Sequence, residues 1–231
     1  ITPDAPDWGT YRAWLLLGHL SSLARGEKLT AYSEEVKAAR EIRDTLKAKE
    51  NPQMLKKSKR AENILHSNQL DGRSISEDFT IESKVQYLNG IIGALLMIGA
   101  SPLSIPSTGI QALIARYLGD KTDEGVDART TYHMFAGFFS PLTIWPLLGG
   151  IIAYQALQGS VDGAEFLISF VVFVFLISII FHFSNLVMLK GYDLFTDFRM
   201  SLRRRRLAHS EDGELLNNLI NSIVPELVAL K

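Results

Sequence analysis

Few residues in this 231-residue chain offer covalent or acid–base chemistry. There is no cysteine, which removes a thiol nucleophile, a thiolate metal site and a disulfide framework together. Among the five histidines one stands at a suggestive spacing: His66-Ser67-Asn68-Gln69-Leu70-Asp71 places an aspartate five positions after a histidine. A carboxylate so placed can orient an imidazole, which can then take the proton of a hydroxyl attacking an acyl carbon. Chance supplies the same pattern easily, because twelve aspartates in 231 residues put one at that offset from some histidine about one time in four. The surroundings are also wrong for catalysis, since His66 closes a basic helical stretch instead of following a buried strand. No Gly-rich phosphate loop, zinc-ligand spacing or nucleophile elbow occurs elsewhere, so no catalytic residue and no metal ligand is assigned.

The elements that would position any site divide by charge. The whole chain carries 24 Lys and Arg against 25 Asp and Glu, which excludes a polybasic nucleic-acid binder and a charge-driven disordered tail. Along the chain the balance is uneven: residues 1–84 hold 14 basic and 13 acidic side chains, residues 85–189 only 3 and 6, and residues 190–231 again 7 and 6. A soluble domain of this size spreads its charge over its length. The low-charge middle therefore predicts a membrane protein with a polar N-terminal part.

Residues 1–84 read as a soluble helical domain. Trp8, Tyr11, Trp14, Leu15, Leu17, Leu20 and Leu23 recur mostly at spacings of three and four until Gly26 offers a stop, although Gly18 interrupts the pattern. A second helix is expected from Ser33, as an N-cap ahead of Glu34 and Glu35, and carries Val36, Ala39, Ile42 and Leu46. A third follows Pro52, with Met54, Leu55, Ile64 and Leu65 flanking Lys56, Lys57, Lys59 and Arg60, and ends at Asp71-Gly72. Trp8, Tyr11 and Trp14 read as core, because large aromatics dominate buried area. The Lys56–Arg60 run suits either lipid phosphates or a solvated face.

Residues 85–189 form the expected membrane domain. The stretch 166–189 gives 24 residues without charge, and at about 1.5 Å each this is about 36 Å, enough to cross a hydrocarbon core of about 30 Å. The stretch 134–158 is expected to cross as well, with Pro141 and Pro146 kinking it or moving its start. Within 85–115 the apolar run Tyr87–Ala100 is short, and Ser101-Pro102 through Gly109 predicts a break, hence a re-entrant or interfacial hairpin. The connection Gln158–Glu165 lacks Lys and Arg, while Arg116, Lys121, Arg129, Lys190 and Arg199 flank the two spans, so both soluble ends are expected in the cytoplasm. His182 and Asn185, near the cytoplasmic end of the last span, read first as interhelical hydrogen-bonding or snorkelling groups.

Residues 190–231 form a basic juxtamembrane segment and an amphipathic helix. Arg203, Arg204, Arg205 and Arg206 follow Phe195, Phe198, Met200 and Leu202 and are the candidate lipid-headgroup-binding residues; the same residues serve as a positive-inside signal. Glu211, Asp212 and Glu214 open a helix whose Leu215, Leu216, Leu219, Ile220, Ile223 and Val224 form one apolar face. That face needs a partner, either the N-terminal unit or another chain. The expected fold class is thus all-α: a helical juxtamembrane domain, two transmembrane helices, one re-entrant or interfacial hairpin and an amphipathic C-terminal helix.

Several short motifs carry a resemblance. Pro3-Asp4-Ala5-Pro6-Asp7-Trp8 with the leucine-rich helix after it, Lys28-Leu29-Thr30, the helix bearing Arg40 and Arg43, and Leu70-Asp71-Gly72 resemble one region of known enzymes. That region follows the catalytic core in glycerol-3-phosphate and dihydroxyacetone-phosphate acyltransferases of the yeast and bacterial lysophospholipid-acyltransferase type. Further on, Pro102-Leu103-Ser104-Ile105-Pro106, Ile114-Ala115-Arg116-Tyr117, Thr130–Gly137 and Pro141-Leu142 are similar to that family's membrane segment. Asp197-Phe198-Arg199-Met200-Ser201-Leu202-Arg203 and Leu219-Ile220-Asn221 with Pro225 continue the likeness.

In that family the catalytic histidine and aspartate lie in a preceding α/β domain, so none of its active-site residues carries over to this chain. The start at Ile1 rather than Met agrees with a portion of a longer protein. The resemblance implies the C-terminal, membrane-anchoring part of an acyl-CoA-dependent glycerolipid acyltransferase, in the endoplasmic reticulum or a bacterial inner membrane. No cofactor is expected in this chain, acyl-CoA being the substrate of the whole enzyme. The expected partners are the bilayer, the catalytic domain and a second copy of the chain, with no nucleic acid. The alternative is a non-enzymatic integral-membrane subunit or scaffold that binds other chains through its helical ends.

Overall fold

The computed structural model describes residues 5–27, 29, 31–48, 52–121, 138–159 and 162–229. Among the described residues every regular element is helical, apart from an isolated bridge between Ile75 and Ile81. The chain divides into two units: Ile1–Tyr87 together with Asp197–Lys231, and Leu88–Thr196.

The first unit is built on α1 (Trp8–Ala24), α2 (Tyr32–Ala48) and α3 (Pro52–Ser67). The Asp7 carboxylate opens α1 by accepting from the Thr10 amide and hydroxyl, both at 2.7 Å. Gly26 closes it at φ +70, a left-handed turn in which the Glu27 amide donates to the Ser22 carbonyl at 2.9 Å. Helix α2 starts one residue before the expected cap Ser33, and it is Glu34 whose side chain accepts the Ala31 amide at 3.1 Å. Gly18 does not weaken α1: a Cβ there would lie 2.6 Å from the Ala39 amide nitrogen, so its bareness lets α1 and α2 cross closely. Of the three aromatics expected in the core, Trp14 is buried at 5% exposure, Tyr11 is half-buried and Trp8 is 75% exposed.

The C-terminal helix α8 (Glu211–Ala229) belongs to the same unit. Its apolar face finds its partner inside the chain: Leu216, Ile220, Ile223 and Leu227 share one core with Leu16, Leu17 and Leu20 of α1, Ile42 of α2, and Met54 and Leu65 of α3. Lys57 meets Glu226 at 2.6 Å on the rim of this packing, and Lys59 meets Asp7 at 3.4 Å, which gives the basic run of α3 protein partners.

The second unit contains α4 (Tyr87–Ser104), a π-helical turn (Ile105–Gly109), α5 (Ile110–Lys121), α6 (Ile144–Leu157) and most of α7 (Gly163–Ala208). Within 85–115, where a re-entrant or interfacial hairpin is expected, the backbone is helical from Tyr87 through a π turn to Lys121. Hydroxyls make this affordable. Pro102 cannot donate to the Ile98 carbonyl, and Ser101 Oγ donates to it instead at 2.8 Å. Around Pro106 the wider π turn is held by Ser107 Oγ donating to the Leu103 carbonyl at 2.9 Å and Thr108 Oγ1 to the Ser104 carbonyl at 2.6 Å.

Within 144–158, part of the second expected span, the structure forms a shorter apolar helix. This helix, α6, has 14 residues, about 21 Å and short of a bilayer core. The 3₁₀ turn Ser140–Leu142 at Pro141 precedes it, and Pro146 falls in the first turn, where its missing N–H costs nothing. Residues 134–137 lie outside the described residues.

Two helical runs are long and apolar enough to cross a membrane, Tyr87–Leu118 and Gly163–Ala208, and the most apolar 18 residues of each are only 22% and 6% buried. A core helix of a soluble protein would be mostly covered. Ile91, Leu95, Ile98, Val171, Phe175 and Phe183 instead stand exposed. Helices α4 and α7 touch backbone to backbone at Gly93 and Gly191, where a Cβ on Gly93 would lie 2.7 Å from the Gly191 carbonyl oxygen.

Candidate functional site

The first unit carries an open cavity of about 210 Å³, its surface more apolar than polar but edged by charged side chains. Arg12, Leu15, Leu16 and His19 line it from one face of α1, the i, i+3, i+4, i+7 pattern of a helix. Tyr32 and Glu35 come from the first turn of α2, and Glu62 from the inner face of α3. The remaining wall is the turn after α3. Gln69 takes φ +55 and lets the Leu70 amide return to the Leu65 carbonyl at 2.8 Å. Asp71 then caps the 3₁₀ turn Gly72–Ser74 by accepting the Arg73 amide at 3.1 Å, and Gly72 packs on Leu16.

Two ion pairs brace this cavity. Arg12 Nε donates to Glu62 Oε1 at 2.6 Å, and Glu62 is only 5% exposed. A carboxylate buried that deeply demands a charged partner, which Arg12 supplies. Arg73 holds Glu35 in a fork, Nε to Oε1 at 2.6 Å and Nη2 to Oε2 at 2.8 Å, and these hydrogen bonds raise the Arg73 pKa above its ordinary value. Other groups are left over. Glu62 Oε2 and both ring nitrogens of His19 are buried without a hydrogen-bond partner among the described residues. Burial holds the His19 imidazole below its ordinary 6.5, against the pull of Glu35 and Asp71. Beside the cavity the hydroxyls of Tyr11 and Tyr32 are hydrogen-bonded, and burial with that bond pushes the Tyr11 phenol up to about 12.

The charged lining comprises Arg12 and Arg73 against Glu35, Glu62 and Asp71, one surplus negative charge when His19 is neutral. Among the described residues no nucleophile is hydrogen-bonded to His19. Among the described residues no group of three His, Cys, Asp or Glu side chains is placed to hold a metal ion.

The structure separates the histidine and aspartate of the sequence motif. Asp71 lines the cavity, whereas His66 is exposed at the end of α3 and is not hydrogen-bonded to it. Arg203–Arg206 occupy the last turns of α7, 14 residues and more beyond Leu189. Four consecutive helical positions turn through about 100° each, so they surround the helix instead of forming a stripe. Arg205 and Arg206 are exposed and Arg203 and Arg204 half-buried, with Arg203 Nη1 donating to Met200 Sδ at 3.5 Å. Asn185 does bond between helices, its Nδ2 donating to Ser107 Oγ at 3.3 Å; His182 is exposed beside Trp145.

Arg12, His19, Glu35, Glu62 and Arg73 were not singled out by spacing. One signal existed: Glu62 falls in the same helical register as Met54, Ser58 and Leu65, a carboxylate where α3 must be buried. Comparisons with protein-family models, with curated proteins and with solved structures find no match to this chain.

Proposed function

We propose that this chain is a membrane-anchoring module and, on its sequence resemblance, the C-terminal portion of an acyl-CoA-dependent glycerolipid acyltransferase whose catalytic residues lie outside it. The whole enzyme would acylate glycerol 3-phosphate or a related acceptor in phospholipid synthesis. One observation carries the anchoring role: α8 is packed into the same core as α1, α2 and α3. Residues from both ends of the chain thus fold together, so the segment between them crosses any bilayer an even number of times. The two runs Tyr87–Leu118 and Gly163–Ala208 supply that even number by length and composition. Lys84 ahead of the first run and Lys190, Arg199 and Arg203–Arg206 along the end of the second outnumber Arg116, Lys121 and Arg129 toward the connection, which favours the cytoplasmic side for the folded unit, of the endoplasmic reticulum or a bacterial inner membrane. Of the arginines, Arg205 and Arg206 are the exposed pair available to anionic headgroups.

The absence of cysteine makes the test direct. In sealed vesicles, single cysteines at Ser67 and His209 should react with an impermeant maleimide from the same side, and one at Gln158 from the other. Labelling of Ser67→Cys and His209→Cys from opposite sides would overturn the topology. For the acyltransferase assignment, the segment encoded ahead of Ile1 should carry a His-x4-Asp and a Gly-Pro-Glu element, and an unrelated domain there would refute it. The chain alone should transfer no acyl group to glycerol 3-phosphate, and activity that vanished in His66→Ala would contradict this reading.

A further inference from the structure

We propose that the groove along the outward face of α6 holds one acyl chain of a glycerophospholipid, its ester end at Gln155 and Gln158. The inference rests on the membrane-anchoring reading and not on the acyltransferase assignment. The groove, of about 580 Å³, is open to the side and mostly apolar, walled by Leu147, Ile151 and Tyr154 of α6 and Phe170 of α7. Its floor is Gly150, where a Cβ would already lie 3.4 Å from Phe170 Cζ, so a larger side chain would fill the space.

Polarity and length select the occupant. The amides stand at one end only, on Gln155 and Gln158, both exposed. In hydrocarbon an N–H needs an acceptor, which a lipid ester carbonyl supplies. That end is level with the start of the long apolar run, since Tyr154 meets Phe166 edge-on with ring centroids 6.3 Å apart, one residue after Glu165. The other end lies within the run: Trp145, next to Pro146, meets His182 with centroids 6.2 Å apart. From Pro146 to Gln158 a helix rises about 18 Å, close to one leaflet, which is half of a hydrocarbon core about 30 Å thick. A second copy of the chain fits less well. Helices pack in hydrocarbon through small residues, and the buried small residues of α6, Gly149 and Ala153, are already covered within the chain. The outward face presents Leu147, Ile151 and Tyr154, each more than half exposed. These side chains hold a second helix off and leave room for a methylene chain.

The test uses the full chain purified in detergent with phosphatidylcholine carrying a photoactivatable diazirine. Native mass spectrometry should show one lipid retained per chain. After illumination, a diazirine at the acyl terminus should label residues 146–151, and one beside the ester residues 154–158. Gly150→Leu should lower lipid retention at least tenfold, and Leu95→Trp, on the exposed face of α4, should leave it unchanged. Should Gly150→Leu fail to fold by circular dichroism, Leu147→Trp, which covers the groove from its exposed rim, decides instead. Label scattered over α4 and α7, or full retention by the folded groove variants, overturns the proposal, as does a dimer in place of the lipid adduct. Alkaline extraction of membranes separates the two readings. A chain that stays in the pellet without groove labelling refutes the groove alone, and a chain that is released refutes the anchoring role with it.

Discussion

Docking of α8 is the contact on which the topology rests, and its strength can be worked out. Leu216 and Ile220 are 0% exposed and lie one turn apart on the face that meets α1 and α3. Truncating either to alanine removes buried carbons and leaves a cavity, a loss of about 2–5 kcal/mol. Opening of α8 frays the last turn of α7, where Arg205 and Arg206 are trypsin sites held in helix. When closing outpaces cleavage, the cleavage rate follows the open population. Each 1.4 kcal/mol is tenfold, so Leu216→Ala or Ile220→Ala should speed cleavage after Arg205 and Arg206 by about 30-fold to several-thousand-fold. The double variant should lose less than the sum, because the two side chains share neighbours. Asn218→Ala, on the exposed face, is the control. The assay is mass-resolved limited proteolysis of the full chain in detergent. Rates for both core variants within about twofold of the control would mean that α8 is not docked, and the even-crossing argument would fall with it.

Other expectations follow from single positions. Gly18→Ala drives a Cβ into the Ala39 backbone and should cost about 1–3 kcal/mol in thermal unfolding; an unchanged melting temperature would contradict the close α1–α2 crossing. Gly93→Ala should lower the melting temperature in nanodiscs, whereas Gly99→Ala, with nothing within 4 Å of its Cβ, should be neutral or raise it, since alanine is the better helix former. His19 is held below 6.5, so the unfolded chain takes up a proton there before the folded one does. Its contribution is complete above pH 6.5 and is lost as the pH falls toward the depressed pKa. His19→Gln should therefore flatten the decline of stability on the acidic side of 6.5 in pH-dependent denaturation, with Glu35, Asp71 and Arg73 still facing the site; an unaltered slope would count against the buried neutral imidazole.

Helix content, the polar N-terminal unit, the apolar middle and the one-sided face of α8 were all readable from periodicity and charge. These depend on residues within a turn or two of each other, where 3.6-residue spacing and hydropathy act locally. Proline by itself was a poor guide to the local backbone in the apolar part. Pro102 and Pro106 predicted a break, yet Ser101, Ser107 and Thr108 take up carbonyls in that region and the helix continues through a π turn. Around Pro141 and Pro146 the Thr143 hydroxyl likewise takes up the Phe139 carbonyl at 2.8 Å, ahead of the 14 residues of α6.

By itself the sequence determined the all-helical class, an apolar middle between charged ends with one long apolar helix over 166–189, and the absence of thiol chemistry. Tertiary structure alone decided which surface covers α8 and which polar groups meet. The cavity draws on positions 12, 19, 35, 62, 71 and 73, spread over 62 positions of the chain with no fixed spacing. No local periodicity can encode that set. It exists because Gly18 lets α1 and α2 approach, and because the turn at Gln69–Ser74 brings Arg73 back to Glu35.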